Sequence, residues 1–113
     1  MKLVNLTPHS VSILSDDGAV VAVIEPSGAV ARCAEEREIC PPMVWGNGCI
    51  NITSATYGAV TGLPKPQTGT SYIVSALVLA QCAGRADVFA PGPAARDDAG
   101  RVIGCYGLSA AAA

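Results

Sequence analysis

Hydrophobic and polar residues alternate along the first third of the chain with the period of two that is typical of β-strands. This pattern predicts strands over residues 2–6, 10–14 and 19–24. Thr7-Pro8-His9 separates the first two strands, because proline lacks the backbone donor that regular pairing needs. Asp16-Asp17-Gly18 is a hairpin turn signal. We therefore expect an antiparallel meander in this part of the chain.

The remaining two thirds predict further hairpins and one helix. A hairpin is expected over residues 43–53, around Gly46-Asn47-Gly48, and another around the turn at residues 97–100. Ser75 is a suitable N-cap for a helix over residues 76–83 that Gly84 would close. The predicted fold class is α+β: a mainly antiparallel sheet or sandwich with one principal helix. We expect one domain over residues 1–108 and a frayed tail over residues 109–113.

Composition adds an expectation about association. The chain has 113 residues, which is enough for a single domain with one core. Half of the residues are hydrophobic and only 14% are charged, so little polar surface is available to cover a monomer. This predicts a homo-oligomer, a dimer or higher, that shares apolar surface between subunits. The net charge of −2 argues against a nucleic acid polymer as partner but allows a small anionic ligand.

Cysteine usage and hydropathy indicate a cytoplasmic protein. The five cysteines form an odd set without CxxC spacing, which favours free thiols in the reducing cytosol. Cys33, Cys82 and Cys105 stand in apolar contexts and are expected to act as small core residues. No apolar run reaches the roughly 18 residues that a membrane span needs, so a membrane is not an expected partner.

The chain offers few groups for catalysis. His9 is the only histidine; at its bend it could contact a ligand, or its ring could bond to the backbone. Ser75 and the cysteines have no visible activating partner, which disfavours nucleophilic catalysis. The spacing of histidine, cysteine and carboxylates predicts neither a metal site nor a cofactor. We therefore expect a binding protein and not an enzyme.

Two arginines flank the turn at residues 97–100, and we call residues 96–101 the arginine hairpin. It is open to two interpretations. It is an ordinary polar hairpin, or its two guanidinium groups grip phosphate oxygens while Asp97 orients one of them or bonds a ribose hydroxyl. Nearby aromatic residues either stack on a nucleobase or belong to the core, and Tyr57 has the same ambiguity. The predicted ligand-binding residues are Arg96, Arg101, Asp97, Phe89, Tyr72 and His9.

Short motifs along the chain resemble a family of small proteins encoded by phages and prophages. They run in a consistent order from residue 5 to residue 103: Asn5-Leu6-Thr7-Pro8-His9, Pro26-Ser27-Gly28, Ala31-Arg32, Tyr57-Gly58, Gly62-Leu63-Pro64, Tyr72-Ile73-Val74-Ser75, Asp87-Val88, Ala90-Pro91-Gly92, Arg96-Asp97 and Gly100-Arg101-Val102-Ile103. Size and context connect this family to the Thoeris anti-defence sponges, which sequester cyclic nucleotide immune signals without cleaving them. The resemblance implies a β-rich protomer that assembles into oligomers with pockets at subunit interfaces. The region 33–52 matches nothing in that family.

Three functions follow as hypotheses. The first is a phage anti-defence protein that binds a cyclic nucleotide signal, either of the cyclic ADP-ribose type or a cyclic oligonucleotide, and leaves it intact. The second is a structural or assembly protein of a phage, which needs an apolar surface and no ligand. The third is a small nucleotide hydrolase that would depend on His9 or Asp97. The shortage of catalytic groups ranks the first hypothesis above the third.

Overall fold

The computed structural model describes residues 1–112; Ala113, the last residue of the predicted tail, lies outside them. Strands account for 54% of the structure, with one short helix, so the α+β class is confirmed. In chain order the elements are β1 (Lys2–Asn5), β2 (Val11–Leu14), β3 (Val20–Ile24), β4 (Arg32–Trp45), β5 (Gly48–Thr61), β6 (Thr70–Ile73), α1 (Ala76–Ala80), β7 (Val88–Pro91), β8 (Ala94–Arg96), β9 (Val102–Tyr106) and β10 (Leu108–Ala110).

The strands form two four-stranded sheets and one two-stranded ribbon. The orders are β1-β6-β7-β10, β3-β2-β9-β8 and β4-β5. The sheets are mixed rather than purely antiparallel, because β1–β6, β6–β7 and β2–β9 are parallel pairs. The expected meander is also broken, since β1 and β2 lie in different sheets. Consecutive strands pair antiparallel where a tight turn joins them, as at Asp16-Asp17-Gly18 between β2 and β3. β6 and β7 are also consecutive strands, but α1 lies between them and they pair in parallel.

The β1 sheet has a hydrophobic cluster on each face. Alternation at the end of β6 and at Val74, the residue after it, places Tyr72 and Val74 on one face of the sheet and Ile73 on the other. On the first face they pack with Val78 of α1 and with Cys33 and Val60 at the base of β4 and β5. On the opposite face Ile73 packs against Val11 and Cys105 of the β2 sheet. The body of the protein thus has three layers: α1 with the base of the β4–β5 ribbon, then the β1 sheet, then the β2 sheet.

The helix is shorter than predicted, and the tail is better ordered. Ser75 caps α1 as expected, its Oγ accepting from the Val78 amide at 3.3 Å, but the helix stops at Ala80 and not at residue 83. Bonds of the i→i+3 type tighten the chain after it, and Gly84 then takes a positive φ. The predicted frayed tail is wrong for its first residues. Ser109 and Ala110 pair with β7, and the Gly84 amide donates to the Ala112 carbonyl.

The β4–β5 hairpin is far longer than the predicted hairpin over residues 43–53. Each strand has 14 residues, and the two pair from Arg32↔Thr61 at the base to Trp45↔Gly48 at the tip. We call this hairpin the arm. From Ala34 to Asn51 every residue except Cys40 is exposed. The arm accounts for the elongated shape of the protein, whose longest dimension is 56 Å.

Candidate functional site

The Asn5–His9 motif builds a rigid loop around one buried amide. Asn5 is only 1% exposed. Its Nδ2 donates to the carbonyls of His9 and Ile24 at 2.7 and 3.0 Å, and its Oδ1 accepts from the Thr7 amide at 2.9 Å. The Ser27 hydroxyl donates to the Asn5 carbonyl at 2.7 Å. Every polar group of the Asn5 side chain is satisfied, so the motif is a structural frame that fixes the position of the residues after it.

A cleft lies between this loop, α1 and the base of the arm, and we call it the α1 cleft. Its volume is about 230 Å³. The side chains that matter for binding come from four separate segments of the chain: Thr7 and Pro8, Arg32, Tyr57, and Ser75 with Leu77. Three of these segments are positioned by the core beneath them, because Leu6, Ala31 and Val74 beside them are all buried in one cluster, and Tyr57 is held opposite Glu35 in the β4–β5 pairing. The cleft therefore has preformed walls.

Arg32 is the cation of this cleft that has no partner. Its side chain makes neither an ion pair nor a hydrogen bond among residues 1–112. The other charged lining residue, Glu35, is paired with Arg37. The Ser75 hydroxyl oxygen accepts a hydrogen bond from the Val78 amide, so its proton is still available to another acceptor. The cleft thus presents a guanidinium, a serine hydroxyl and the half-buried ring of Tyr57.

Its size limits what the cleft can hold. Closed ligand pockets in proteins span roughly 300–1,000 Å³, so a nucleotide-sized ligand would extend beyond the cleft into solvent or onto another surface. A second cleft of about 280 Å³ lies beside Ser10, Ser12 and Ile103. It is larger, but none of the described residues that line it is charged. We favour the α1 cleft because its polar groups converge from several elements.

The arginine hairpin forms as predicted, but its polar groups bond mainly to one another. β8 and β9 pair on either side of the turn. Asp97 accepts from the amides of Ala99 and Arg101, each at 2.9 Å, and pairs with the Arg101 guanidinium at 3.1 Å. Arg96 donates to the Gly100 carbonyl at 2.8 Å. The hairpin closes on itself, although both guanidinium groups retain unused donors at the surface.

The other predicted site residues do not gather at this hairpin. Tyr72 is 2% exposed and belongs to the core, so its predicted contact with a ligand is wrong in this structure. Phe89 is half-buried on β7, opposite Ile73 and not opposite Tyr72, so the two aromatic rings point to opposite faces of their sheet. His9 is exposed in the Asn5–His9 loop, and its ring makes no hydrogen bond within the part of the chain that the structure describes.

A third arginine has a structural role. Arg85 forms a bidentate pair with Asp87, at 2.8 and 2.9 Å, and also donates to the Pro64 carbonyl at 3.1 Å. Hydrogen bonds from Arg85 lower the pKa of Asp87, and the same bonds raise the pKa of Arg85. The pair ties the segment after α1 to the 64–66 crossover. Nearby, burial raises the pKa of the Cys82 thiol, as expected of a core cysteine.

In comparisons with known proteins, no protein-family model, no curated protein and no solved structure matches this chain. Within residues 1–112, no group of three or more histidine, cysteine or acidic side chains is arranged to hold a metal ion. No helix in the same range has the length and apolarity required to cross a membrane.

Sequence reasoning did not select Arg32 or Ser75 as ligand-binding residues, and it left Tyr57 open between stacking on a base and a place in the core, although all three stood in motifs already noted. Four of the motifs that carry the phage-protein resemblance supply walls of the α1 cleft: the Asn5–His9 loop, Ala31-Arg32, Tyr57-Gly58 and the segment that ends at Ser75. The feature that these motifs share in the sequence is that each is short and contains a polar residue close to residues that are buried. Nothing in their sequence separation of up to 68 positions, from Thr7 to Ser75, indicated that they would meet.

Proposed function

We propose that the protein binds a small anionic ligand with an aromatic ring, of the cyclic nucleotide class, in the α1 cleft and leaves it chemically unchanged. The observation that carries the proposal is the convergence of Arg32, Tyr57 and Ser75 on one preformed cleft. An unpaired guanidinium beside a half-buried aromatic ring is suited to a phosphate joined to a base.

Each group has a distinct task in this proposal. The Arg32 guanidinium bonds two phosphate oxygens, for which its planar fork is shaped. The Tyr57 ring stacks on the base, an interaction worth about 1–3 kcal/mol per base in nucleic-acid systems. The Ser75 hydroxyl donates to a ribose or phosphate oxygen. Because the cleft holds only about 230 Å³, it receives one nucleoside unit of a larger cyclic ligand.

Binding without cleavage agrees with the side chains that surround the cleft. His9 does not line it, and Ser75 is engaged with the Val78 amide and not with a base. A nucleophile without an activating base is weak. The role that follows is sequestration of a nucleotide immune signal by a phage-encoded anti-defence protein in the host cytosol, as the family resemblance implies. The hydrolase hypothesis has no comparable support.

The arginine hairpin remains the competing location for the anion. Arg96 and Arg101 are exposed and keep unused donors, so both can still bind phosphate at the surface. Binding there has to compete with the Asp97 carboxylate, which pairs with Arg101. Arg32 makes no ion pair among residues 1–112, and the Glu35 carboxylate that lines the same cleft is paired with Arg37, which is why the α1 cleft is the preferred site.

A structural or assembly role is the second candidate, and the arm favours it. Ile39, Val44 and Trp45 are 92%, 74% and 75% exposed, which is unusual for large apolar side chains of a protein that acts alone. Such a role needs no small-molecule ligand. The experiment below therefore has to tell a ligand-binding protein from an assembly protein.

The test is ligand capture followed by release. The protein is mixed with a panel of cyclic ADP-ribose-type molecules and cyclic oligonucleotides, separated from free ligand and heat-denatured, and the released molecule is identified by mass spectrometry. We expect intact ligand from the wild type and a loss of capture in Arg32→Ala. Altered ligand would indicate an enzyme, and no ligand would favour the assembly role. Loss of capture in Arg101→Ala but not in Arg32→Ala would move the site to the arginine hairpin.

A further inference from the structure

The arm lacks the support that a two-stranded ribbon needs. Isolated two-stranded hairpins are marginally stable in water, and independent stability requires a third strand or a packed face. The arm meets the hydrophobic core only at its base, through Cys33 and Val60. Beyond the base, both strands are edges with unpaired backbone groups on their outer sides. A ribbon of this length is therefore expected to have a permanent partner.

The two edges of the arm differ sharply in chemistry. β4 carries five charged residues between Arg32 and Glu38, followed by Pro41-Pro42, which provide no backbone donors. Charges and prolines on an edge are the devices by which proteins prevent strand addition. β5 has neither: its sequence GCINITSATYGAVT contains no charge and no proline and is rich in β-branched residues. One edge is protected against pairing and the other is open to it.

We propose that the β5 edge of the arm pairs antiparallel with the β5 edge of a second copy, which makes a continuous four-stranded sheet β4-β5-β5-β4 across the dimer. The chemistry of the β5 edge favours a second copy of the chain as its partner. An uncharged strand is complementary to its own copy about a two-fold axis, the symmetry of most homodimers. A charged partner strand would find no complementary charge on β5.

The arm is long enough for such pairing between two copies. Fourteen residues extend about 46 Å at roughly 3.3 Å per residue. Full overlap of two such strands would form about 14 backbone hydrogen bonds. The protected β4 strands would then form the outer edges of the joined sheet, which would prevent further strand addition. The proposal thus predicts a closed dimer and not a fibre.

The apolar side chains of the arm fit the same arrangement. Pairing of Met43 with Ile50 and of Cys40 with Ile52 places these four side chains on one face of the ribbon. A two-fold axis perpendicular to the sheet keeps the corresponding faces of both copies on the same side. The joined sheet therefore acquires one common hydrophobic face, the feature that stabilises sheets of three or more strands.

Residue-resolved amide hydrogen exchange tests the edge directly, with the full-length chain and without ligand. In a ribbon, every second amide of each strand points away from its partner strand. We expect sedimentation to show a dimer and the outward amides of β5 to exchange slower than those of β4 by about tenfold or more. Protection of the outward β4 amides, equal rapid exchange on both edges, or a monomer at all accessible concentrations would each overturn the proposal.

A matched pair of variants provides the second measurement. Ser54 and Thr56 of β5 lie opposite Glu38 and Glu36 of β4. In S54K/T56K the new lysines lie opposite these glutamates, so we expect the β4–β5 pairing within the arm to be retained. The same lysines add charge to the middle of the β5 edge, and charge on an edge strand opposes pairing with another strand. We expect the dimer dissociation constant of S54K/T56K to rise at least about tenfold above that of the control, E36K/E38K. Equal dimer dissociation constants for both variants would contradict pairing through the β5 edges. Ligand capture at the α1 cleft is a separate readout, so failure of this proposal and failure of the proposed function are distinguishable.

Discussion

The α1 cleft and the arginine hairpin differ in how many of their charged groups are already engaged, and the number of charges in a segment does not reveal this difference. The hairpin has two arginines, but its carboxylate and a carbonyl already accept from them. The cleft has a single unpaired arginine, Arg32, next to an aromatic ring and a hydroxyl. The hairpin is a local structure whose groups bond to close neighbours in sequence, whereas the cleft is assembled from distant segments. Available donors in a preformed site matter more than formal charge.

The largest expected effect of a substitution concerns the frame beneath the cleft. Asn5→Ala would leave the Thr7 amide without its acceptor and would remove the hydrogen bonds that the carbonyls of His9 and Ile24 accept from Nδ2. The His9 carbonyl would keep only its bond from the Thr7 hydroxyl. We expect a loss of about 2–4 kcal/mol in the free energy of unfolding, since buried unsatisfied groups are costly. Chemical denaturation measures it. Asn51→Ala, an exposed asparagine on β5, is the control and should change stability by less than about 0.5 kcal/mol.

The second prediction compares the two arginine sites by their effect on binding. Arg32→Ala should raise the dissociation constant of the captured cyclic nucleotide about tenfold to a hundredfold, because a charge-assisted bond to phosphate is lost. The thermal midpoint should stay unchanged, since the Arg32 side chain has no partner among the described residues. Calorimetry and thermal unfolding measure the two quantities.

Arg101→Ala is the matched variant for this comparison. It removes an exposed guanidinium whose partner is Asp97, and we expect the affinity for the ligand to remain within about threefold of the wild type. A larger loss of affinity in Arg101→Ala than in Arg32→Ala would show that the hairpin binds the anion.

The third prediction uses Arg85 as an example of an arginine committed to structure. Asp87→Asn should lower the free energy of unfolding at pH 7 by about 1–2 kcal/mol, because the bidentate pair is partly buried. Since Arg85 lowers the pKa of Asp87, the stabilisation is fully present above the ordinary carboxyl pKa of 3.8 and is lost as the pH falls through the lowered value. Denaturation curves of both proteins should therefore converge at acid pH, and a constant gap down to pH of about 2 would contradict the assignment.

The smallest effect is expected in the arginine hairpin. Asp97→Ala removes the acceptor of two turn amides and the partner of Arg101. Because the turn is exposed, stability should fall by only about 0.5–1 kcal/mol. Ligand affinity should not fall, and exchange rates of the Ala99 and Arg101 amides should rise. A drop in affinity similar to that of Arg32→Ala would contradict the separation of hairpin and cleft.

Much of the local structure was predictable from sequence because short-range physical chemistry decides it. The Asp16-Asp17-Gly18 turn, the Ser75 cap and the hairpin at residues 97–100 occur where the pattern places them. The length of the arm was not predictable in the same way. Charges and Pro41-Pro42 in β4 disfavour a strand, but pairing with β5, with a register shift beside the prolines, overrides this local signal.

The sequence by itself determined the strand-rich class, the single capped helix and the turns, since each depends on residues within a few positions of one another. Tertiary structure alone decided that three of the strand pairs are parallel, that Tyr72 is buried, and that Arg32, Tyr57 and Ser75 share one cleft. These outcomes depend on contacts between distant segments. Period-two alternation shows that a strand has two different faces, but only packing against the rest of the chain determines which face is buried and which strand lies beside it.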